Sequence, residues 1–213
     1  MAIFISGSVA FDYLMTFPGY FRENILPDKL DKISLSFLVD SMTRQRGGCA
    51  PNIAYSMALL GEKPSVVATA GEDFAEYRQW METHGIESRY ILEIPQKYTA
   101  SFFVNTDLEN NQIASFYTGA MADAAKFSLT EIPAGEMDYL VISPNDPTVM
   151  RKFTDEAVQL GIPYLFDPSQ QVARNPHEEL RGGVEHAQAG VWTESKFYLL
   201  VNDIGFYANT SGR

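Results

Sequence analysis

Arg46-Gly47-Gly48-Cys49-Ala50-Pro51-Asn52-Ile53-Ala54, running on to Leu59-Leu60-Gly61, is the stretch from which the rest of the chain is read. Adjacent glycines let the backbone lie close against a neighbour, because neither has a Cβ to block the approach. Pro51 suits the first turn of a helix, where its missing N–H is not needed. Gly61 is a natural helix stop. Asn52 then sits in the first turn with an amide that both donates and accepts. Such a corner fits a polyhydroxylated ligand such as a sugar or nucleoside. It fits a plain turn before a core helix as well, and the local sequence alone leaves both readings open.

Outward from this corner, apolar strands and helices alternate. Ala2–Ser6 reads as a buried strand ending at Gly7-Ser8, and Ser65–Ala70 as another. Ile33, Leu35, Phe37 and Val39 alternate with Ser34, Ser36, Leu38 and Asp40, which predicts a further strand. Phe74, Tyr77 and Met81 fall at helical spacing before Gly85. Strand, helix and strand in this order predict a parallel sheet with crossover helices.

The middle differs. Thr99–Thr106 and Gln112–Thr118 flank a polar loop, Asp107 to Asn111, and predict an antiparallel hairpin projecting from the main sheet. The alternation then resumes with a strand at Tyr139–Ser143, a helix at Pro147–Leu160 and a strand at Pro163–Asp167. A helix at Glu178–Ala189 and a strand at Phe197–Val201 follow. The expectation is an α/β core with a small β excursion drawn from about residues 13–45 and 95–120.

Bulk properties narrow the function. The chain has 213 residues, 46% hydrophobic, with a net charge of −11. That charge and the absence of a Lys/Arg run argue against a nucleic-acid partner. One cysteine, Cys49, allows no internal disulfide framework and fits a reducing, cytoplasmic setting. The start reads as no signal peptide, and no apolar run is long enough to span a membrane. Neither a Walker phosphate loop nor a dinucleotide glycine turn nor a nucleophile elbow occurs. The three histidines have no metal-ligand spacing.

Ligands of open α/β sheets gather at the carboxyl ends of strands. Ser8 and Asp12 follow the first strand, Gly47, Gly48 and Asn52 open a core helix, Gln170 and Gln171 follow a later strand, and Asn202 follows the last. Asp12 has the chemistry to accept two hydrogen bonds from a vicinal diol, or to be a solvated or capping carboxylate. Phe102 and Phe116 lie on opposite arms of the hairpin, where they either stack on a ligand ring or pack on the protein. Gln170 and Gln171 read equally well as ordinary loop amides.

These blocks together resemble the ribokinase-like (PfkB-type) sugar and nucleoside kinases, and within them the prokaryotic adenosine kinases. The resemblance rests on Gly7 to Asp12, Phe17-Pro18-Gly19, Lys32 to Asp40, Arg46-Gly47-Gly48 with Asn52, and Gln112 to Tyr117 with Gly119-Ala120-Met121. It continues in Asn145-Asp146-Pro147, Asp167 to Gln171 and Ala173-Arg174, and covers roughly residues 1–188.

It implies a three-layer α/β sandwich with a central, mostly parallel sheet and a β lid, in one ribokinase-like domain over residues 1–213 that is cut short at its C-terminus. It implies Asp12, Gly48 and Asn52 as ribose-hydroxyl binders and Gly47 as a further substrate-binding residue, with Ser8 and Ser36 lining the pocket. Phe102 and Phe116 would contact a base, and Gln170 or Gln171 would complete the site. The reaction implied is ATP- and Mg²⁺-dependent transfer of a phosphoryl group to a primary hydroxyl, that of adenosine or, alternatively, of a ribose- or fructose-type sugar. Asn202 would belong to the nucleotide site. The family's run of Asp-Thr-x-Gly-Ala-Gly-Asp type, which carries the catalytic aspartate, has no counterpart between Asn202 and Arg213, and the glutamate of the N-x-x-E motif is missing after Asn202. The chain is therefore expected to bind substrate without transferring phosphate, or to be a non-catalytic remnant. A small-molecule partner is expected, with no nucleic acid and no membrane, and with a homodimer as an alternative to the monomer.

Overall fold

A computed structural model describes residues 1–32, 34–169 and 177–190. In chain order its strands are β1 (Ile3–Ser6), β2 (Ala10–Thr16), β3 (Ser41–Gly47), β4 (Ser65–Ala70), β5 (Ile91–Glu93), β6 (Ala100–Thr106), β7 (Gln112–Tyr117), β8 (Tyr139–Ile142), β9 (Tyr164–Phe166) and β10 (Ala189–Gly190). Its helices are α1 (Phe21–Asn24), α2 (Cys49–Leu59), α3 (Ala75–Thr83), α4 (Pro147–Leu160) and α5 (His177–Glu185).

The strands form two sheets. The central one has the order β10-β9-β8-β1-β4-β5, and every pairing described in it is parallel. Its strands are apolar on both faces, as a sheet covered on both sides requires. Phe4, Val67, Leu140, Ile142, Tyr164 and Phe166 face α4 and α5, where Val149, Met150, Phe153 and Leu180 meet them. Ile5, Val66, Ala68 and Ala70 face the other way, against Ala50 and Ala54 of α2 and Tyr77 and Met81 of α3. This is the expected three-layer α/β arrangement.

The helices begin and end where local chemistry directs. At α4, Asp146 caps the first turn by accepting a 2.9 Å hydrogen bond from the Thr148 N–H, Pro147 occupies the first turn, and Gly161 closes the helix at φ 67°.

The second sheet has the order β3-β2-β6-β7. β2 runs antiparallel to β3 and parallel to β6, and β6 and β7 form the expected antiparallel hairpin. Its root is fixed to the body by Ala10 and Ala100, which pack on Met121.

Two expectations are corrected, and a third lies outside the described residues. The alternation over residues 33–39 is not a strand: residues 34–39 are irregular, and residue 33 lies outside the described part. Phe37 drives that pattern by packing edge-on against Phe17 and Phe21, at ring-centroid distances of 5.1 and 4.9 Å. The strand lies just beyond, at Ser41–Gly47, where β3 pairs with β2 through a largely polar sequence. The last expected helix ends at Glu185, four residues short, and Ala189–Gly190 instead adds a strand beside β9. The strand expected at Phe197–Val201 lies outside the described residues.

Candidate functional site

The Gly47-Gly48 corner joins the two sheets. β3 ends at Gly47, and α2 starts one residue after Gly48. Gly48 has φ 96° and ψ 145°, a conformation open essentially only to glycine. A Cβ there would also press on the Ser8 carbonyl and come within 2.8 Å of the Ala10 nitrogen. Ser8 holds the start of α2: its hydroxyl oxygen accepts from the Cys49 N–H at 3.1 Å, and its carbonyl from the Ala50 N–H at 3.3 Å. Its own N–H donates to the Pro144 carbonyl at 2.9 Å, which ties the corner to the end of β8.

Gly47 has a different reason to be glycine. A Cβ on it would lie 2.6 Å from Cγ of Asp12, so the carboxylate occupies the space a side chain would fill. From the body, the Tyr77 phenol donates a 2.9 Å hydrogen bond to the Gly47 carbonyl. Burial raises the Asp12 carboxyl above its ordinary pKa of 3.8. Burial likewise pushes the Tyr77 phenol above its usual range, with the Asp12 charge adding to the effect and Arg46 opposing it.

Strand register extends the site away from the corner. Asp12 is the partner of Gln45 on β3 and of Phe102 on β6, and Phe102 is the partner of Phe116 on β7. Directly paired residues share a face of a sheet. Gln45, Asp12, Phe102 and Phe116 therefore form one transverse row across all four strands. The preceding row, Gly47, Ala10 and Ala100, is small, and the Asp12 carboxylate leans over it. The opposite face of the sheet is engaged with the body. Phe11 packs on Tyr77 at 5.4 Å, the Arg44 guanidinium stacks 3.6 Å over Phe11, and Arg46 pairs with Glu76 at 2.9 Å.

The structure thus brings together Ser8, Asp12, Gly47 and Gly48 around the corner, and Phe102 and Phe116 along the same row as Asp12. Asn52 lies in the first turn of α2, exposed, with its N–H 3.4 Å from the Gly48 carbonyl. Ser36 is exposed on the irregular segment before β3, and no hydrogen bond among the described residues joins it to Asp12 or Gly48. Gln170, Gln171 and Asn202 lie outside the described residues.

Two residues of this arrangement are missing from the sequence reading. Gln45 carries no signal in the sequence, because its strand has no apolar alternation. Helical spacing marks Tyr77 as part of an apolar face but carries no sign of its hydroxyl's bond to Gly47, a contact between residues 30 positions apart.

Among the described residues, the site is a sheet surface beside a corner. A depression of about 580 Å³ lined by Ala2, Lys63, Glu82, Glu87 and Arg89 lies at the opposite, amino-terminal end of the strands and includes none of these residues. Among the described residues no group of three or more His, Cys, Asp or Glu side chains lies together to hold a metal ion. No described helix is long and apolar enough to cross a membrane.

Known proteins resemble this chain in sequence and in fold. The chain is 30% identical over 183 residues to a nucleoside kinase of Methanothermobacter thermautotrophicus, covering 84% of this chain and 55% of the relative. It therefore spans little more than half of that protein's length. The structure of Burkholderia thailandensis nucleoside kinase in complex with inosine superposes with a TM-score of 0.81 at 35% identity, over 96% of this chain and 65% of that one. A complex of the same enzyme with ADP-inosine has a TM-score of 0.78 at 37% identity, over 97% and 64% of the two chains. The Methanocaldococcus jannaschii nucleoside kinase, an archaeal member of the ribokinase family, shares the fold with a TM-score of 0.83 at 22% identity, over 97% and 66%. Residues 8–202 match the family described as pfkB family carbohydrate kinase. With a match over that much of its length, and with a three-layer α/β core of ribokinase type, the chain belongs to the pfkB family of carbohydrate kinases.

Proposed function

We propose that this chain binds a purine nucleoside as the substrate-binding part of an ATP-dependent nucleoside kinase, with adenosine and inosine as candidate substrates. The observation that carries this reading is the single row joining the Asp12 carboxylate to Phe102 and Phe116, beside the Gly47-Gly48 corner. Adjacent strands are about 4.8 Å apart, the scale that separates a furanose ring from the base attached to it. A ribose over Asp12 and the glycines places its base against the phenylalanines.

Each residue then has a distinct task. The ionised Asp12 accepts hydrogen bonds from the two ribose hydroxyls. Gly47 and Gly48 let the sugar approach the backbone, and Asn52 offers an amide from the first turn of α2. Phe102 and Phe116 present ring surface to the base. Transfer of the γ-phosphoryl group of ATP to the 5′-hydroxyl is the activity this substrate site would serve, and the relative's ADP-inosine complex supports that pairing of ligands. Asn202, the nucleotide-site candidate, lies outside the described residues.

Calorimetric titration with inosine, adenosine and free ribose tests the reading. Saturable binding of a nucleoside is expected. Phe102→Ala and Phe116→Ala should each weaken it by about 1–3 kcal/mol, the usual value of a base–aromatic stack, and leave ribose binding unchanged. Equal losses for nucleoside and ribose would favour a simple sugar as the ligand. An absence of saturable nucleoside binding would overturn the proposal.

A further inference from the structure

We infer that Gln45 is a specificity residue of the sugar site, donating through its side-chain amide to the ribose hydroxyl farther from the base. The inference rests on the nucleoside reading above and extends it to a position outside the glycine corner.

Gln45 is the direct partner of Asp12, on the side of Asp12 away from Phe102. Its face is fixed, because a one-residue slip of β3 would turn every side chain over. Its neighbours Arg44 and Arg46 prevent that slip from the other face. Arg44 stacks on Phe11 and lies 3.7 Å from Asp73, while Arg46 pairs with Glu76 at 2.9 Å. Gln45 is thus held on the platform face, exposed, and its side chain has no hydrogen-bond partner among the described residues.

Chemistry then selects the contact. Asp12 as a carboxylate only accepts, so it engages the hydrogens of the diol and leaves the hydroxyl oxygens in need of donors. The Gln45 amide is the described donor next to Asp12 along the row. With the base over Phe102 and Phe116, the hydroxyl lying toward β3 is the one across the ring from the glycosidic bond, the 3′-hydroxyl. A neutral amide can donate there without adding a charge beside Asp12.

The test titrates inosine, 2′-deoxyinosine and 3′-deoxyinosine into the wild-type chain, Gln45→Ala and Gln45→Glu. Loss of one neutral hydrogen bond predicts that Gln45→Ala weakens inosine about 3- to 10-fold. The same substitution should leave 3′-deoxyinosine unchanged, because the partner hydroxyl is already gone. Gln45→Glu should weaken inosine more, by placing a second carboxylate beside Asp12. As an exposed position, residue 45 should tolerate both changes with little effect on stability, which a thermal melt checks. If the wild-type chain binds inosine and Gln45→Ala weakens inosine and 3′-deoxyinosine equally, or neither, the inference fails and the site reading stands. If the wild-type chain binds no nucleoside, the site reading fails and takes this inference with it.

Discussion

The Tyr77 hydroxyl, on a side chain only 1% exposed, reaches out of α3 to the Gly47 carbonyl at 2.9 Å. This bond sets the end of β3 against the body and fixes the backbone over which the Asp12 carboxylate lies. Tyr77→Phe keeps the ring and its packing on Phe11 and Phe74 but removes the donor. A stability loss of about 1–2 kcal/mol is expected, the usual range for deleting one partner of a buried hydrogen bond. Nucleoside affinity should fall as well, because the corner loses its buttress. Chemical denaturation and calorimetry on the same sample check the pair of effects. An unchanged affinity would show that the bond serves the fold alone.

The two corner glycines should respond differently to alanine. At Gly47 the new Cβ meets the Asp12 carboxylate, with Cγ at 2.6 Å, and that side chain must move. Gly47→Ala is expected to reduce nucleoside binding at least tenfold while shifting the melting temperature only slightly. At Gly48 the Cβ meets backbone of residues 8 to 10 and the φ of 96° is strained for any side chain. Gly48→Ala should therefore destabilise the fold by about 1–3 kcal/mol. Equal melting temperatures for the two variants would contradict this division.

That contrast shows how much was legible beforehand. The glycine pair, the helix after it and the core strands are written in local chemistry: positive φ, a first-turn proline, apolar runs. The roles proposed for Asp12, Phe102 and Phe116 rest on family resemblance, and their common row is a fact of strand register between residues some 90 positions apart. No local pattern encodes that pairing. β3 was missed because both its faces are polar or exposed, so it has no hydrophobic period to read. The segment before it mimics a strand because Phe37 alternates with its neighbours for a different reason, namely its edge-on packing against Phe17 and Phe21. β10 is two residues long, too short for any period.

The far end of the small sheet depends on Asp107. Its carboxylate accepts from the Phe21 N–H at 3.1 Å, from the Glu109 and Asn111 N–H groups at 2.9 Å each, and from the Asn111 amide. Desolvation alone would raise its pKa. The hydrogen bonds from Asn111, Phe21 and Glu109 outweigh it and hold the carboxyl below its ordinary value of 3.8. A lowered native pKa means that the unfolded chain binds more protons, so this stabilisation is complete above 3.8 and is lost as pH falls through the native value. Asp107→Ala should speed amide exchange at Phe21 and Asn111 and leave amides of β1 and β8 protected. It should also loosen the segment carrying Ser36, since Phe37 packs on Phe21. Uniform acceleration across both sheets would mean that Asp107 supports the whole fold and not its tip.

Asp12 carries the opposite sign. Burial raises its native pKa above 3.8, so between 3.8 and the raised value the native chain binds more protons than the unfolded chain. Stability must fall as pH rises through that window, and above it the ionised carboxylate remains a standing cost to the fold. Under the proposed nucleoside reading that charge serves the ligand, because the ionised carboxylate offers two acceptor oxygens to the two ribose hydroxyls and makes charge-assisted hydrogen bonds that a neutral amide cannot. Asp12→Asn should therefore melt at a higher temperature than the wild type at neutral pH, while binding nucleoside at least tenfold more weakly. Wild-type affinity should decline as pH drops through the raised Asp12 pKa, and the Asn variant should show no such decline. Because the bound diol favours the ionised form, binding within the window should release a proton. Titration in two buffers of different ionisation enthalpy reads that release directly. A wild-type affinity that stays flat with pH, matched by the Asn variant, would remove Asp12 from the sugar site.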